Sequence, residues 1–240
     1  EMKFRTKVYP ANATYANDIE FRITTVLGIK SNIAEIVSVE NGEITVRCKG
    51  DGEFFLRALC KNGTEKYHIL TALKLTGEGL GAASFNPYEL VLGGLHTVQT
   101  DNISNGIERG AGFANENSWF GFENVDFGSI GSDTVTVPIF ANCTTPVKIR
   151  FYDGIPGEGG EMIGEFSYHE PPQWLTYIPN TFKLNKVLKG MHTFVMESDD
   201  GYNVQGFVFR KPDKEFGEIN AADNESVYGD KFTAEPDAVT

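Results

Sequence analysis

In Ile44-Thr45-Val46-Arg47-Cys48 every second side chain is apolar, and Leu56, Ala58 and Cys60 repeat the pattern in the next apolar run. A period of two places Ile44, Val46 and Cys48 on one face of an extended chain, a spacing that a helix of 3.6 residues per turn cannot reproduce. Runs of this kind recur at 19–23, 44–48, 54–60, 67–75, 135–140, 147–152, 193–197 and 204–209. The turn-forming groups Glu40-Asn41-Gly42, Gly50-Asp51-Gly52 and Lys61-Asn62-Gly63 lie between them, as antiparallel hairpins require. Helical periodicity is almost absent. The sequence predicts an all-β chain made of two β-sandwich domains.

With 240 residues, 40% of them hydrophobic and 12% aromatic, there is enough apolar material for two packed cores. Glycine-rich Gly77-Glu78-Gly79-Leu80-Gly81 follows the last strand-like run of the first unit and marks the expected boundary. The domains are therefore expected at 1–80 and 81–212, followed by an acidic, polar linker or tail at 213–240 leading toward a further module. The chain begins inside strand-like sequence (Lys3 to Tyr9) and stops without a closing signal, so both ends read as boundaries within a longer protein. The compartment is accordingly left unassigned.

Acidic side chains outnumber basic ones 33 to 21, for a net charge of −12. That balance repels nucleic acid and anionic membrane surfaces, and a neutral ligand is expected instead. No run reaches the roughly 18 apolar residues of a membrane-spanning helix. Cys48, Cys60 and Cys143 are an odd set without CxxC spacing, which argues against a zinc site and a disulfide framework; they read as buried or half-buried thiols. A Cys48–Cys60 disulfide stays open, because sequence does not supply the Cα separation. His68 has no carboxylate or thiol at ligand spacing.

Both tryptophans sit among polar or turn-forming neighbours, in Asn115-Glu116-Asn117-Ser118-Trp119 and Glu170-Pro171-Pro172-Gln173-Trp174. Such positions read as loops or strand starts that present a ring to solvent. An exposed indole suits the C–H-rich face of a sugar, while amides and carboxylates take the hydroxyls. Hydrophobic capping of the sandwich end is the alternative role for the two rings, and a simple turn amide the alternative for Asn203.

In the first unit, Tyr9-Pro10-Ala11-Asn12-Ala13-Thr14, Ile19-Glu20-Phe21, Ile33-Ala34-Glu35-Ile36-Val37, Asn41-Gly42 and Gly50-Asp51-Gly52 resemble a bacterial immunoglobulin-like domain of the Big type, with Phe21 in place of a tryptophan. The resemblance implies a spacer. In the second unit, Phe122-Glu123-Asn124-Val125-Asp126-Phe127-Gly128, Glu161-Met162-Ile163-Gly164, Trp174, Gly190-Met191-His192 and Asn203-Val204-Gln205-Gly206-Phe207 follow the order of landmarks of carbohydrate-binding module family 6. That resemblance implies a sugar slot walled by Trp119 and Trp174 with Asn203 as polar anchor. It also implies a structural calcium, against which stand Gln205 in place of an aspartate and the scattered Glu108, Asp126 and Asp133; a hard cation wants several gathered oxygens, so no cofactor is expected. Gly206 replaces a family tryptophan and is expected to open space beside its strand, and the first strand is expected at 90–95.

Together with Asn105-Gly106-Ile107-Glu108-Arg109-Gly110, the two units resemble the C-terminal region of bacterial family 2 glycoside hydrolases of the β-galactosidase type. The resemblance implies a retaining parent enzyme as partner and galactoside-type or plant polysaccharide glycans as ligands, galactose-containing ones first. The fragment itself is expected to be non-catalytic: Asp199-Asp200 and Glu158/Glu161 lie in turn-like sequence, and no nucleophile, zinc or phosphate-loop motif occurs. Two roles remain open, glycan binding and pure scaffolding.

Overall fold

The computed structural model describes residues 1–16, 18–61, 68–113, 117–141, 145–171, 173 and 175–212. Trp174, Cys143, the Asn62-Gly63 turn and the 213–240 tail lie outside the described residues. The chain divides into two compact units, Glu1–Phe85 and Asn86–Thr240. The expectation of an all-β chain with two sandwich units is met.

In the first unit, β1 (Met2–Arg5), β4 (Glu43–Cys48) and β3 (Ala34–Glu40) form one antiparallel sheet, and β2 (Ile19–Thr24), β5 (Gly52–Lys61) and β6 (His68–Gly77) form the other. Period-two alternation closes the core between them: Ile23, Ala34, Ile44, Val46, Phe54 and Leu56 are buried, and Phe4, Phe21 and Cys48 pack against them. The β3–β4 hairpin turns through Asn41 (φ 50°) and Gly42 (φ 74°), with Glu40 opposite Glu43, the left-handed pair that a two-residue hairpin needs. Cys48 and Cys60 are free thiols. Cys48 belongs to the core, whereas the Cys60 Sγ lies 3.1 Å from the Tyr15 carbonyl oxygen.

The second unit contains β7 (Val91–Leu92), β8 (Val98–Gln99), β9 (Ile103–Asn105), β10 (Ala111–Phe113), β11 (Ser118–Asp126), β12 (Ser132–Phe140), β13 (Val147–Asp153), β14 (Glu161–Tyr168), β15 (Ile178–Leu188), β16 (Met191–Ser198), β17 (Asn203–Val204) and β18 (Gly206–Phe209). A seven-stranded sheet runs β7-β18-β12-β17-β10-β9 with β15 added to β12, and a five-stranded sheet runs β14-β13-β16-β11-β8. Phe120, Phe122, Phe127, Phe151, Phe194, Phe207 and Phe209 are fully buried, each worth roughly 1.5–3 kcal/mol of transfer free energy. Rings from both sheets meet at the centre, Phe194 with Phe207 at 4.9 Å and Phe122 with Phe207 at 5.0 Å between centroids.

Several sequence landmarks of this unit prove to be folding devices. Phe120 and Phe122 face inward, and then the register of β11 against β16 shifts at Asn124, whose φ is 57°. One inserted residue resets the alternation, so Val125 and Phe127 are again buried. Asp126 Oδ1 then accepts the Gly128 N–H at 2.9 Å and closes the turn.

Three expectations are corrected. The strand at 90–95 reduces to Val91–Leu92 followed by a 3₁₀ turn, Gly93–Leu95, because Gly93 and Gly94 pack directly on the backbone of Arg109 to Ala111. The run 204–209 is two strands, β17 and β18, interrupted at Gln205. Gly206 opens no space: a Cβ there would overlap the Val91 carbonyl oxygen across the β18–β7 pair.

Candidate functional site

Of the three sequence-predicted site residues, Trp119 and Asn203 are described and Trp174 is not. Trp119 is the second residue of β11, at a strand start, and half-buried. Its neighbours Ser118 and Phe120 are fully buried, so its ring stands on the outer face of the five-stranded sheet. Asn203 is on β17, flanked by buried Tyr202 and Val204, which directs its amide to the outer face of the seven-stranded sheet. Phe120 and Tyr202 both pack against Phe113 in the core between them. Trp119 and Asn203 therefore lie on strands of different sheets, each outward of the core.

On the Asn203 face two glycines, Gly110 and Gly112, are buried beneath polar groups. A Cβ on Gly112 would stand 2.5 Å from Ser104 Oγ and 3.1 Å from Asn203 Oδ1, and one on Gly110 would meet the Val204 carbonyl and, at 2.8 Å, the Tyr177 hydroxyl. Ser104, Asn203, Gln205, Glu108 and Tyr177 stand around them. The Asn203 amide is half-buried and has no hydrogen-bond partner among the described residues. Tyr177 donates to the Ile107 carbonyl oxygen at 2.6 Å; burial, and after it the Glu108 charge, raises its pKa to about 12. The Thr176 N–H donates to the Gln173 carbonyl at 3.1 Å.

The Trp119 face is charged. A cross-strand row runs Trp119, Glu197, Arg150, Glu165 over four strands. Arg150 donates to Glu197 at 2.7 Å and to Glu165 at 2.8 Å, and Lys148 adds a 2.9 Å bond to Glu165. Lys148 and Arg150 hold the Glu165 carboxyl below the usual range. Burial first, and then the Glu197 charge, pushes the Tyr152 hydroxyl up. Trp119 itself is fixed at the backbone, donating to Thr100 Oγ1 at 3.1 Å and accepting from the Thr100 N–H at 2.9 Å.

Sequence reasoning missed Glu108, Gln205, Tyr177 and Ser104 as site residues. Only the glycine pair Gly110/Gly112 offered a signal, as positions where other groups approach the backbone closely. For the calcium implied by the resemblance, the donors do not fit. Gln205 Nε2 faces Glu108 Oε2 at 3.4 Å, Asp126 closes its own turn, and Asp133 faces Lys183 at 3.6 Å. No group of three His, Cys, Asp or Glu gathers among the described residues.

No protein-family model matches the chain, and no curated protein does. Solved structures do. A family 6 carbohydrate-binding module studied for its binding sub-sites has 17% identity and a TM-score of 0.46, covering 53% of this chain and 96% of that one. CsCBM6-3 from Clostridium stercorarium, in complex with cellobiose, has 18% identity and a TM-score of 0.46 over 54% and 98%. A family 6 module from Clostridium cellulolyticum in complex with xylose has 23% identity and a TM-score of 0.43 over 53% and 100%.

Proposed function

We propose that this chain is a non-catalytic, carbohydrate-binding accessory region of a larger glycoside hydrolase. The observation that carries the reading is the Asn203 amide, on the outer face of the seven-stranded sheet and unpartnered among the described residues. An amide supplies both donors and an acceptor, which suits a sugar hydroxyl. Trp174 is proposed as the stacking side chain on the sequence resemblance. Trp119 stands on a strand of the other sheet, beside Glu197 and Arg150.

The parent enzyme is proposed to be of the retaining β-galactosidase type, with galactose-containing glycans as first candidates, on the sequence resemblance alone. The first unit, proposed to be an immunoglobulin-like spacer, spans 1–80, the binding module 81–212 and the linker 213–240. A scaffolding role without glycan binding is favoured by one feature: β6 is an edge strand ten residues long, with Leu70 and Leu73 each 47% exposed, an edge suited to pairing with another chain.

Calorimetry and affinity electrophoresis against galactosides, galactans, xylans, cellobiose and xylose separate the two roles. Glycan binding that Asn203→Ala and Trp174→Ala each weaken is the expected result. Absence of binding at millimolar glycan, or wild-type affinity in both variants, overturns the proposal.

A further inference from the structure

Glu108 (φ 48°, ψ 36°) and Arg109 (φ 66°) are consecutive non-glycine residues in left-handed conformation. Side chains with a Cβ disfavour that region, and such pairs persist only where surrounding contacts impose them. Here the Gly110 N–H and the Tyr177 hydroxyl both donate to the Ile107 carbonyl, at 2.9 and 2.6 Å, and the Gly106 N–H donates to the Gly110 carbonyl at 3.0 Å. The elbow so held brings the exposed Glu108 side chain to the outer face of the seven-stranded sheet, where Oε2 lies 3.4 Å from Gln205 Nε2.

Gln205 stands two residues beyond Asn203, at the break between β17 and β18, half-buried between buried Val204 and Gly206. Gly110 and Gly112 lie under the interval between them. A sugar ring lying on the side chains that cover these glycines, with one hydroxyl at Asn203, extends its next polar edge toward Gln205 and Glu108.

We propose that Glu108 is the specificity-determining residue of this site, accepting hydrogen bonds from adjacent free hydroxyls of a neutral sugar and excluding the corresponding uronic acid. The proposal rests on the sugar-binding reading of Asn203. A carboxylate accepts and never donates, so it requires hydroxyl donors, and its bonds to them are charge-assisted and stronger than an amide's. A ligand carboxylate brought to the same point meets like charge, which is discrimination by repulsion.

The test titrates the whole chain with galactotetraose, xylotetraose and cellotetraose, and with the C6-oxidised, uronic-acid counterparts of the two hexose oligomers. Wild type is expected to bind at least one neutral oligosaccharide and to prefer a hexose oligomer to its uronate by 10-fold or more. Glu108→Gln is expected to weaken neutral binding by about 10- to 100-fold, the range for a lost charged hydrogen bond, and to erase the preference. Glu108→Asn, whose side chain tolerates the left-handed region, repeats the test without disturbing the elbow. If Asn203→Ala abolishes binding while both Glu108 variants keep wild-type affinity and preference, the Glu108 assignment fails alone. If wild type binds none of the oligosaccharides, the sugar-binding reading fails and this one with it.

Discussion

Tyr177 and Ile107 are joined by a 2.6 Å hydrogen bond from the phenol hydroxyl to the backbone carbonyl, and the bond ties the start of β15 to the connection between β9 and β10. Gly110 lies beneath the hydroxyl with no room for a Cβ. A single contact thus positions the Glu108 elbow and the residues that follow Trp174 in the chain.

Because burial and the Glu108 charge raise the Tyr177 pKa to about 12, above roughly 10 in an unfolded chain, the folded state keeps the proton longer. The stabilisation is complete below pH 10 and is lost as pH rises toward 12. Urea unfolding between pH 9 and 12 is expected to show a steeper loss for wild type than for Tyr177→Phe. At neutral pH that variant costs about 1 kcal/mol, the worth of one hydrogen bond.

Trp119 and Asn203 project from different sheets, so their substitutions should act independently. Isothermal titration with a glycan bound at Asn203 is expected to lose affinity in Asn203→Ala and to give the wild-type constant in Trp119→Ala. Equal losses in the two variants would return Trp119 to the same slot.

Asp153 accepts from Lys186 Nζ through Oδ2 and faces His192 Nδ1 through Oδ1, both at 2.8 Å. Burial draws its pKa upward, but the Lys186 and His192 bonds outweigh that effect and hold it below the ordinary 3.8. A depressed carboxylate stabilises the fold above its unfolded pKa and stops doing so as pH falls through the folded value. Asp153→Asn is expected to lower stability by about 1–3 kcal/mol at pH 7, with the difference from wild type shrinking in denaturation curves below pH 4.

Gly206 sits against the Val91 carbonyl where β18 pairs with β7. Adding a methyl group forces backbone to move, a cost of about 1–3 kcal/mol. Gly206→Ala should lower the thermal midpoint, and hydrogen exchange at Val91 and Leu92 should accelerate first. Wild-type protection at those amides would show that β7 tolerates the intrusion.

Much of the strand content was legible locally. The apolar alternation of 44–48 and 147–152 and the Asn41-Gly42 turn each act over a few residues, and each appears in the structure where the pattern lies. Position 206 was not legible, because whether a bare residue leaves a gap or receives a neighbour depends on β7, more than 100 residues earlier in the chain. Glu108 was not legible either: nothing local to Ile107-Glu108-Arg109 requires left-handed backbone, and the contact from Tyr177 comes from 70 residues away.

The sequence by itself determined that the chain is all-β, where most of its strands run, and which of their side chains face a core. It did so because a period of two sorts side chains into inward and outward sets without reference to anything distant. Only the tertiary structure decided where the outward residues point. Two sheets packed face to face have two outer surfaces, and the alternation is identical on both. Trp119 and Asn203 were each readable as outward residues, yet the long-range pairing of β11 with β16 and of β17 with β10 and β12 set them on different sheets.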